Sequence, residues 1–286
     1  MADRPVIEAA PPSARERETV DVQRLERTLA AIVDHLHAAV RESAPTRAEL
    51  IAAADFLAET GRISDARRQE FVLLSDVLGV SALVEAINTR RPPGATPSTL
   101  RDPFYVPDAP ERTPGADIRL AGPGEPLAVS VRVRDLAGRA IHGARVETWQ
   151  ANRDGVSDLQ DPDGQPEHNL RGVFHTDADG RVAWRTIRPG AYAAPADGPV
   201  GALLARLGRG AATPAHLNFR ISARGYEPLT TQIFDADDPA LANDAIFAVR
   251  AGLAQPFRRE AEGWSVALDF ALAPATAGSD RTGDAP

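Results

Sequence analysis

The 286-residue chain has no cysteine. That single absence excludes disulfides, thiolate nucleophiles, iron–sulfur clusters and thiolate zinc sites together. Lysine is missing as well, since all 32 basic residues are arginine. A Schiff-base amine and a phosphate-loop lysine are therefore excluded, because arginine keeps its proton and does not attack a carbonyl. Positive charge is in deficit: 40 acidic residues against 32 basic ones give a formal net charge of −8. The resulting field repels phosphate backbones and anionic membranes, so no nucleic-acid partner is expected. No apolar run approaches the roughly twenty residues a membrane helix needs, and the N-terminus has no signal-like apolar core. A cytoplasmic protein is expected. What remains is globular in composition, 43% hydrophobic and a quarter charged, and long enough for one large domain or a small one joined to a medium one.

Residues 1–18 mix proline, small residues and charge without an apolar period, and read as a loose arm. Val22, Leu25, Leu29, Ile32, Val33, Leu36 and Val40 then recur at steps of three and four, one stripe of an amphipathic helix. Thr46 and Glu49 have capping-box spacing for a second helix that stops near Gly61. Ser64 is a candidate cap for a third segment, EFVLLSDVLGVSALVEAINTR, whose apolar density predicts burial between partners. Prolines at 92, 93, 97, 103, 107 and 110 deny helix to the residues before them and predict an extended crossing over 92–126. Beyond it the period becomes two, as in Leu127, Val129, Val131 and Val133 and again in Val266, Leu268 and Phe270. With ARVETWQA, RVAWRT, HLNFRIS and LTTQIF between them, these strands predict an antiparallel sandwich over 127–274 and a short tail over 275–286. The fold class is α+β, mainly β: helices over 19–91, then the sandwich.

The segments LLSDVLGVSALVEAINTR, GATPSTLRDPFYVPDAP, GARVETWQAN, NLRGVFHTDADGRV, YAAPADGPVGALL, TPAHLNF and GYEPLTTQIF cover most of residues 70–250. In that order they resemble the intradiol ring-cleavage dioxygenases, the catechol and hydroxyquinol 1,2-dioxygenase group. The resemblance implies a helical N-terminal dimerisation segment followed by a β-sandwich of the intradiol type. It also implies a homodimer through the helices of residues 20–90, with phospholipid in a tunnel between them, and a small aromatic ligand. The cofactor it implies is a non-haem ferric ion held by two tyrosines and two histidines. Fe(III) is a hard ion stabilised by phenolate oxygen, and neutral imidazoles complete the shell while leaving positions for a catecholate.

Residue by residue, Tyr192 stands at the family's second tyrosine and His216 at its first histidine. Asn218 stands at the second histidine, Ser157 at the first tyrosine, and Thr213 at an arginine that stabilises charge on substrate. Gln232 matches the glutamine beside the metal-bound oxygen. The flanking stretches WQAN, QDPD and PAH match without gaps. Of the other two tyrosines, Tyr226 follows the histidine strand and Tyr105 belongs to the PFY segment that lines the family's cavity; His168 and His175 are spare imidazoles. Leu73, Asp76, Leu100, Pro103 and Phe104 fall at positions that resemble the substrate-lining residues of the hydroxyquinol branch. Arg101 and Asp102 depart from the glycine the family usually carries there.

Structural readings stand beside these. Tyr192 fits a tyrosine at a sandwich end, His216 a satisfied strand histidine, Asp76 a helix cap, and His35 and His37 surface positions. Losing one anionic donor and one imidazole argues against tight ferric binding, so an iron-free protein is open alongside a weakened iron site. Three functions stay open. One is a dioxygenase with an altered site. Another is a metal-independent enzyme using Tyr192, His216 and Gln232 for acid–base chemistry on a phenolic or polyketide-like substrate. The third is a catalytically silent relative that binds an aromatic ligand or a paralogue.

Overall fold

The computed structural model describes residues 21–65, 68–193, 195–245, 247 and 249–275. The expected arm over 1–18 lies outside these residues, as does the tail beyond Ala275. The chain divides into two compact units, one ending at Phe71 and the other beginning at Val72.

In the first unit, α1 (Val22–Ser43) starts at Asp21, whose Oδ1 accepts the Gln23 N–H at 3.1 Å. It ends where Ala44 turns left-handed, at φ 45°, and returns its N–H to the Val40 carbonyl. The stripe predicted from the sequence is present and exposed; no residue of α1 is buried. The helix α2 (Arg47–Ile63) opens with the expected reciprocal cap. Glu49 N–H donates to Thr46 Oγ1 at 3.2 Å, and Thr46 N–H donates to Glu49 Oε2 at 2.7 Å. Ser64, expected to start the next helix, instead follows the last turn of α2 and donates its hydroxyl to the Thr60 carbonyl at 2.7 Å. A hydroxyl within reach of the carbonyl four residues back serves the end of a helix as readily as the start of one.

The third segment also divides, into α3 (Glu70–Val77) and α4 (Val80–Asn88), with Gly79 between them at φ 72°. That backbone value suits glycine and interrupts a helix of L-residues. Val77 is buried, whereas Leu78, Leu83 and Ile87 are exposed on the single chain.

The second unit is the sandwich. Its strands are β1 (Pro126–Asp135), β2 (Arg145–Trp149), β3 (Arg171–His175), β4 (Arg181–Ile187), β5 (Tyr192–Ala193), β6 (Ala212–Thr213), β7 (His216–Ser222), β8 (Leu229–Asp235), β9 (Ala254–Gln255), β10 (Arg258–Glu260) and β11 (Gly263–Leu272). One sheet has the order β10-β11-β1-β4, the other β3-β2-β7-β8-β9, and β5 pairs with β6 separately. Most pairings are antiparallel as expected, but β1 runs parallel to β11 and β8 to β9. Alternation identifies a strand without specifying its neighbour, so the direction of those pairs is a tertiary property.

Between the sheets lie Val129, Val131 and Val133 of β1, Trp184 of β4 and Phe270 of β11, facing Val146, Phe219 and Ile221 of the other sheet. Phe174 stacks on Trp184 at 4.7 Å between ring centroids. Because side chains alternate, burying Leu217, Phe219 and Ile221 inward turns His216 and Asn218 to the outer face of the same sheet. The register aligns Trp149, Asn218 and Gln232 side by side on that face. The proline-rich crossing is fastened over it: Thr99 N–H donates to the Thr230 carbonyl at 3.0 Å, and further along Arg112 N–H donates to the Val173 carbonyl and Val173 N–H to the Pro110 carbonyl.

Two loops that flank this face approach each other at glycine. Gly155 has φ 76°, and a Cβ there would lie 2.0 Å from the Ala191 carbonyl oxygen, one residue before Tyr192. Gly138 has a similar φ of 82° and open space around it. Gly155→Ala should therefore destabilise the protein by more than the about 1–3 kcal/mol of left-handed backbone strain that Gly138→Ala carries. Urea denaturation of both variants checks this, and equal losses would contradict the close approach.

Candidate functional site

His216, the first residue of β7, is buried, and its Nδ1 lies 2.7 Å from the Pro214 carbonyl. A carbonyl only accepts, so Nδ1 carries the hydrogen and Nε2 of the neutral ring is left as an acceptor. Facing Nε2 at 3.7 Å is Oδ2 of Asp102. The other oxygen of that carboxylate is held twice, by the Phe104 N–H at 2.8 Å and the Trp149 indole N–H at 3.2 Å. Tyr192 meets Phe104 edge to face at 5.4 Å between centroids. Burial, then the nearby charges of Asp102 and Asp76, push the Tyr192 hydroxyl up to about 12, which favours the neutral phenol.

Ser157 is buried and fully engaged. Its Oγ accepts from Arg171 Nη2 at 3.0 Å and donates to Asp158 Oδ1 at 2.9 Å, and it caps the short 3₁₀ turn Asp158–Gln160. Arg171, 1% exposed, grips Asp158 through Nε at 3.0 and 2.9 Å and through Nη2. Its Nη1 donates to the Phe104 carbonyl at 2.5 Å. Asn218 Oδ1 accepts from Gln232 Nε2 at 3.1 Å. Among the described residues Gln232 Oε1 and Thr213 Oγ1 are buried with no hydrogen-bond partner, and Thr213 pairs across the ladder with Tyr192.

Tyr192, His216, Asn218, Gln232 and Thr213 therefore belong to one neighbourhood, roofed by residues 102–104. Phe104 is buried, Leu73, Asp76 and Leu100 are half-buried, and Pro103 is exposed. Burial raises the Asp76 carboxyl against a lowering hydrogen bond with Ser81, the second residue of α4. Tyr105 packs on Trp149 at 5.1 Å but gives its hydroxyl to Glu147 Oε1 at 2.9 Å. Burial alone would raise Glu147; hydrogen bonds from Arg145 and Arg220, and then Tyr105, hold it below the usual carboxylate value. Of the spare imidazoles, His175 is half exposed and 3.2 Å from Glu111, and His168 lies 3.8 Å from Glu167. Among the described residues, no group of three or more histidine, aspartate or glutamate side chains is arranged to hold a metal ion.

Sequence reading missed two participants. Asp102 was visible only as a departure from glycine, with no sign of where its carboxylate points. The Arg171–Asp158 pair joins residues thirteen positions apart and carries no local signature.

A family described as "Dioxygenase" matches residues 100–274, and one described as "Catechol dioxygenase N terminus" matches residues 23–96. The chain belongs to the intradiol dioxygenase family. It is 45% identical over 273 residues to the hydroxyquinol 1,2-dioxygenase of Rhizobium sp. (strain MTP-10005), covering 91% of this chain and 92% of that one. It is 44% identical to the 6-chlorohydroxyquinol 1,2-dioxygenase of Cupriavidus pinatubonensis, covering 88% and 91%. Among solved structures, the hydroxyquinol 1,2-dioxygenase of Pseudomonas putida DLL-E4 superimposes with a TM-score of 0.84 at 38% identity, over 90% of this chain and 94% of that one.

The buried ion pair generates a stability prediction. Asp158→Ala leaves the Arg171 guanidinium charged and uncompensated, a loss expected at about 3–5 kcal/mol. Denaturant unfolding measures it; a loss under about 1 kcal/mol would mean that water or another group already neutralises Arg171.

Proposed function

We propose that this chain keeps the family's pocket for a catechol- or hydroxyquinol-like aromatic and does not carry out ordinary iron(III)-dependent ring cleavage. The observation that carries the reading is the state of Ser157. Its hydroxyl is neutral, buried and already bonded to Arg171 and Asp158, at the position where the family offers a phenolate. Asn218, at a histidine position, has its amide oxygen bonded to Gln232. The residues present do not fit a ferric ion, which needs several hard anionic or strong imidazole donors converging on one point. Tyr192 and His216 are two such donors where the family has four. Thr213 also lacks the charge of the arginine it stands for. Function belongs to the site rather than the fold, so family membership alone does not supply the reaction.

The ring-binding half of the proposal draws on the relatives' names, which are of hydroxyquinol and chlorohydroxyquinol dioxygenases. It also draws on Phe104, packed edge to face on Tyr192, and on Asp76, whose charge acts on the Tyr192 hydroxyl, with Leu73, Leu100, Pro103 and Tyr105 assigned to the lining by the resemblance; apolar walls with few polar groups suit an aromatic ring. One observation favours a second reading, acid–base chemistry on a phenolic or polyketide-like substrate: the clamp on Nδ1 leaves His216 Nε2 to accept a proton with Asp102 Oδ2 3.7 Å away, while burial favours a neutral Tyr192 phenol. A catalytically silent binder or partner of a paralogue is the third. We also infer a homodimer through the helices between residues 20 and 90, with phospholipid between them. The exposed apolar stripe of α1 supports it, since such a face calls for a cover.

Protein purified from an iron-replete culture should contain far less than one iron per chain and lack a visible phenolate-to-iron absorption. Near-stoichiometric iron with that absorption would overturn the proposal. Sedimentation should give about twice the monomer mass, and Leu29→Glu/Leu36→Glu on α1 should reduce it to one; a monomeric parent would refute the dimer.

A further inference from the structure

Asp102 is a carboxylate at the one point toward which His216 Nε2 opens, and the pocket described above does not account for it. Its Oδ1 is fixed by the Phe104 N–H and the Trp149 indole, so its Oδ2 has a defined direction. At 3.7 Å from Nε2 the two atoms stand farther apart than a hydrogen bond. With the Nδ1 hydrogen given to Pro214, both atoms in the neutral-ring state are acceptors. Gln232 Oε1 adds a third, buried and without a partner among the described residues, and Thr213 Oγ1 is a further buried oxygen without one. The Asp76 carboxylate lies close enough to act electrostatically on Tyr192, as Asp102 does.

In the neutral-ring state Asp102 Oδ2, His216 Nε2 and Gln232 Oε1 only accept, while the Thr213 and Tyr192 hydroxyls can each turn a hydrogen to one of them or to a ligand. Of the nearby arginines, Arg171 is fully engaged by Asp158, Ser157 and the Phe104 carbonyl, and Arg101 and Arg220 lie over the Tyr105 ring. A buried acceptor without a donor is costly, and a ligand that brings hydrogens to it removes that cost. A ligand that brings negative charge meets two carboxylates in a poorly solvated place, which strengthens the repulsion.

We infer that Asp102 determines ligand specificity: the site takes an uncharged, donor-rich ring, an undissociated polyhydroxybenzene, and Asp102 Oδ2 accepts one of its hydroxyl hydrogens. This rests on the aromatic-pocket reading and sharpens it, since a metal-bound catecholate and a ring carboxylate are both anions that this arrangement rejects. No bond is made or broken in the recognition itself.

The test is calorimetric titration of the full chain with three probes under argon: benzene-1,2,4-triol, its trimethyl ether and 3,4-dihydroxybenzoate. The triol should bind wild type, and the ether and the benzoate at least about tenfold more weakly, the scale of a hydrogen bond to a charged group. Asp102→Asn keeps an oxygen for Phe104 and Trp149 but turns a donor toward the ligand. It should weaken the triol by about tenfold or more and narrow its margin over the benzoate. Asp102→Ala, which has no polar group at all, should move both affinities the same way and guards against a folding defect in the first variant. Triol binding within twofold of wild type in both variants, with the benzoate still rejected, would overturn the role of Asp102 while leaving the aromatic pocket intact. Failure of wild type to bind any of the three would overturn both.

Discussion

The guanidinium of Arg171 is where the geometry of the site is decided. It is buried beside a carboxylate, a hydroxyl and a main-chain carbonyl that come from two parts of the site: Asp158 and Ser157 from the loop after β2, Phe104 from the proline-rich crossing. A buried charge of this kind requires a complete set of acceptors, because the cost of leaving it unpaired exceeds the net worth of the pair. Ser157 supplies one of them. Meeting that demand keeps its hydroxyl in the arginine's shell, and holds Phe104 where its ring meets Tyr192 and its N–H meets Asp102.

From that constraint the rest of the site follows in order. The crossing is held over the outer face of the β3-β2-β7-β8-β9 sheet, and the register of that sheet sets Trp149, Asn218 and Gln232 in a row beneath it. Trp149 steadies Asp102, Asp102 faces His216, and the amides of Asn218 and Gln232 bond each other. In the dioxygenase arrangement that the sequence resembles, a strongly positive ion would sit among these groups. Here burial and then the carboxylates of Asp102 and Asp76 act on the Tyr192 hydroxyl and favour its neutral form.

Much of the scaffold could be read from the sequence because it rests on local rules. Leu127 to Val133 alternate, so β1 was visible; Thr46 and Glu49 have box spacing, so the start of α2 was too. Gly79 inside an apolar segment was not recognised as a break between α3 and α4, since only its backbone angle distinguishes it from a tolerated helical glycine. The parallel pairing of β1 with β11 joins residues more than 130 positions apart and has no local sign. At the site, Tyr192, His216 and the residues at 157, 213 and 218 were singled out through resemblance, and the structure shows which bonds they make. Their commitments were not legible, because a serine in a sequence does not announce that a distant arginine has claimed it. Asp102 shows the same limit, its residue type being readable and its direction set only by Trp149 and Phe104.

The central claim is that Ser157 and Asn218, at two positions where the resemblance sets iron ligands, are bonded to protein and do not turn toward an ion. It is tested most directly by diffraction at the iron edge from crystals soaked in iron. The account predicts no anomalous peak within bonding distance of Tyr192 and His216, with Ser157 still on Arg171 and Asn218 still on Gln232. An iron peak closed by four oxygen and nitrogen donors there would contradict it.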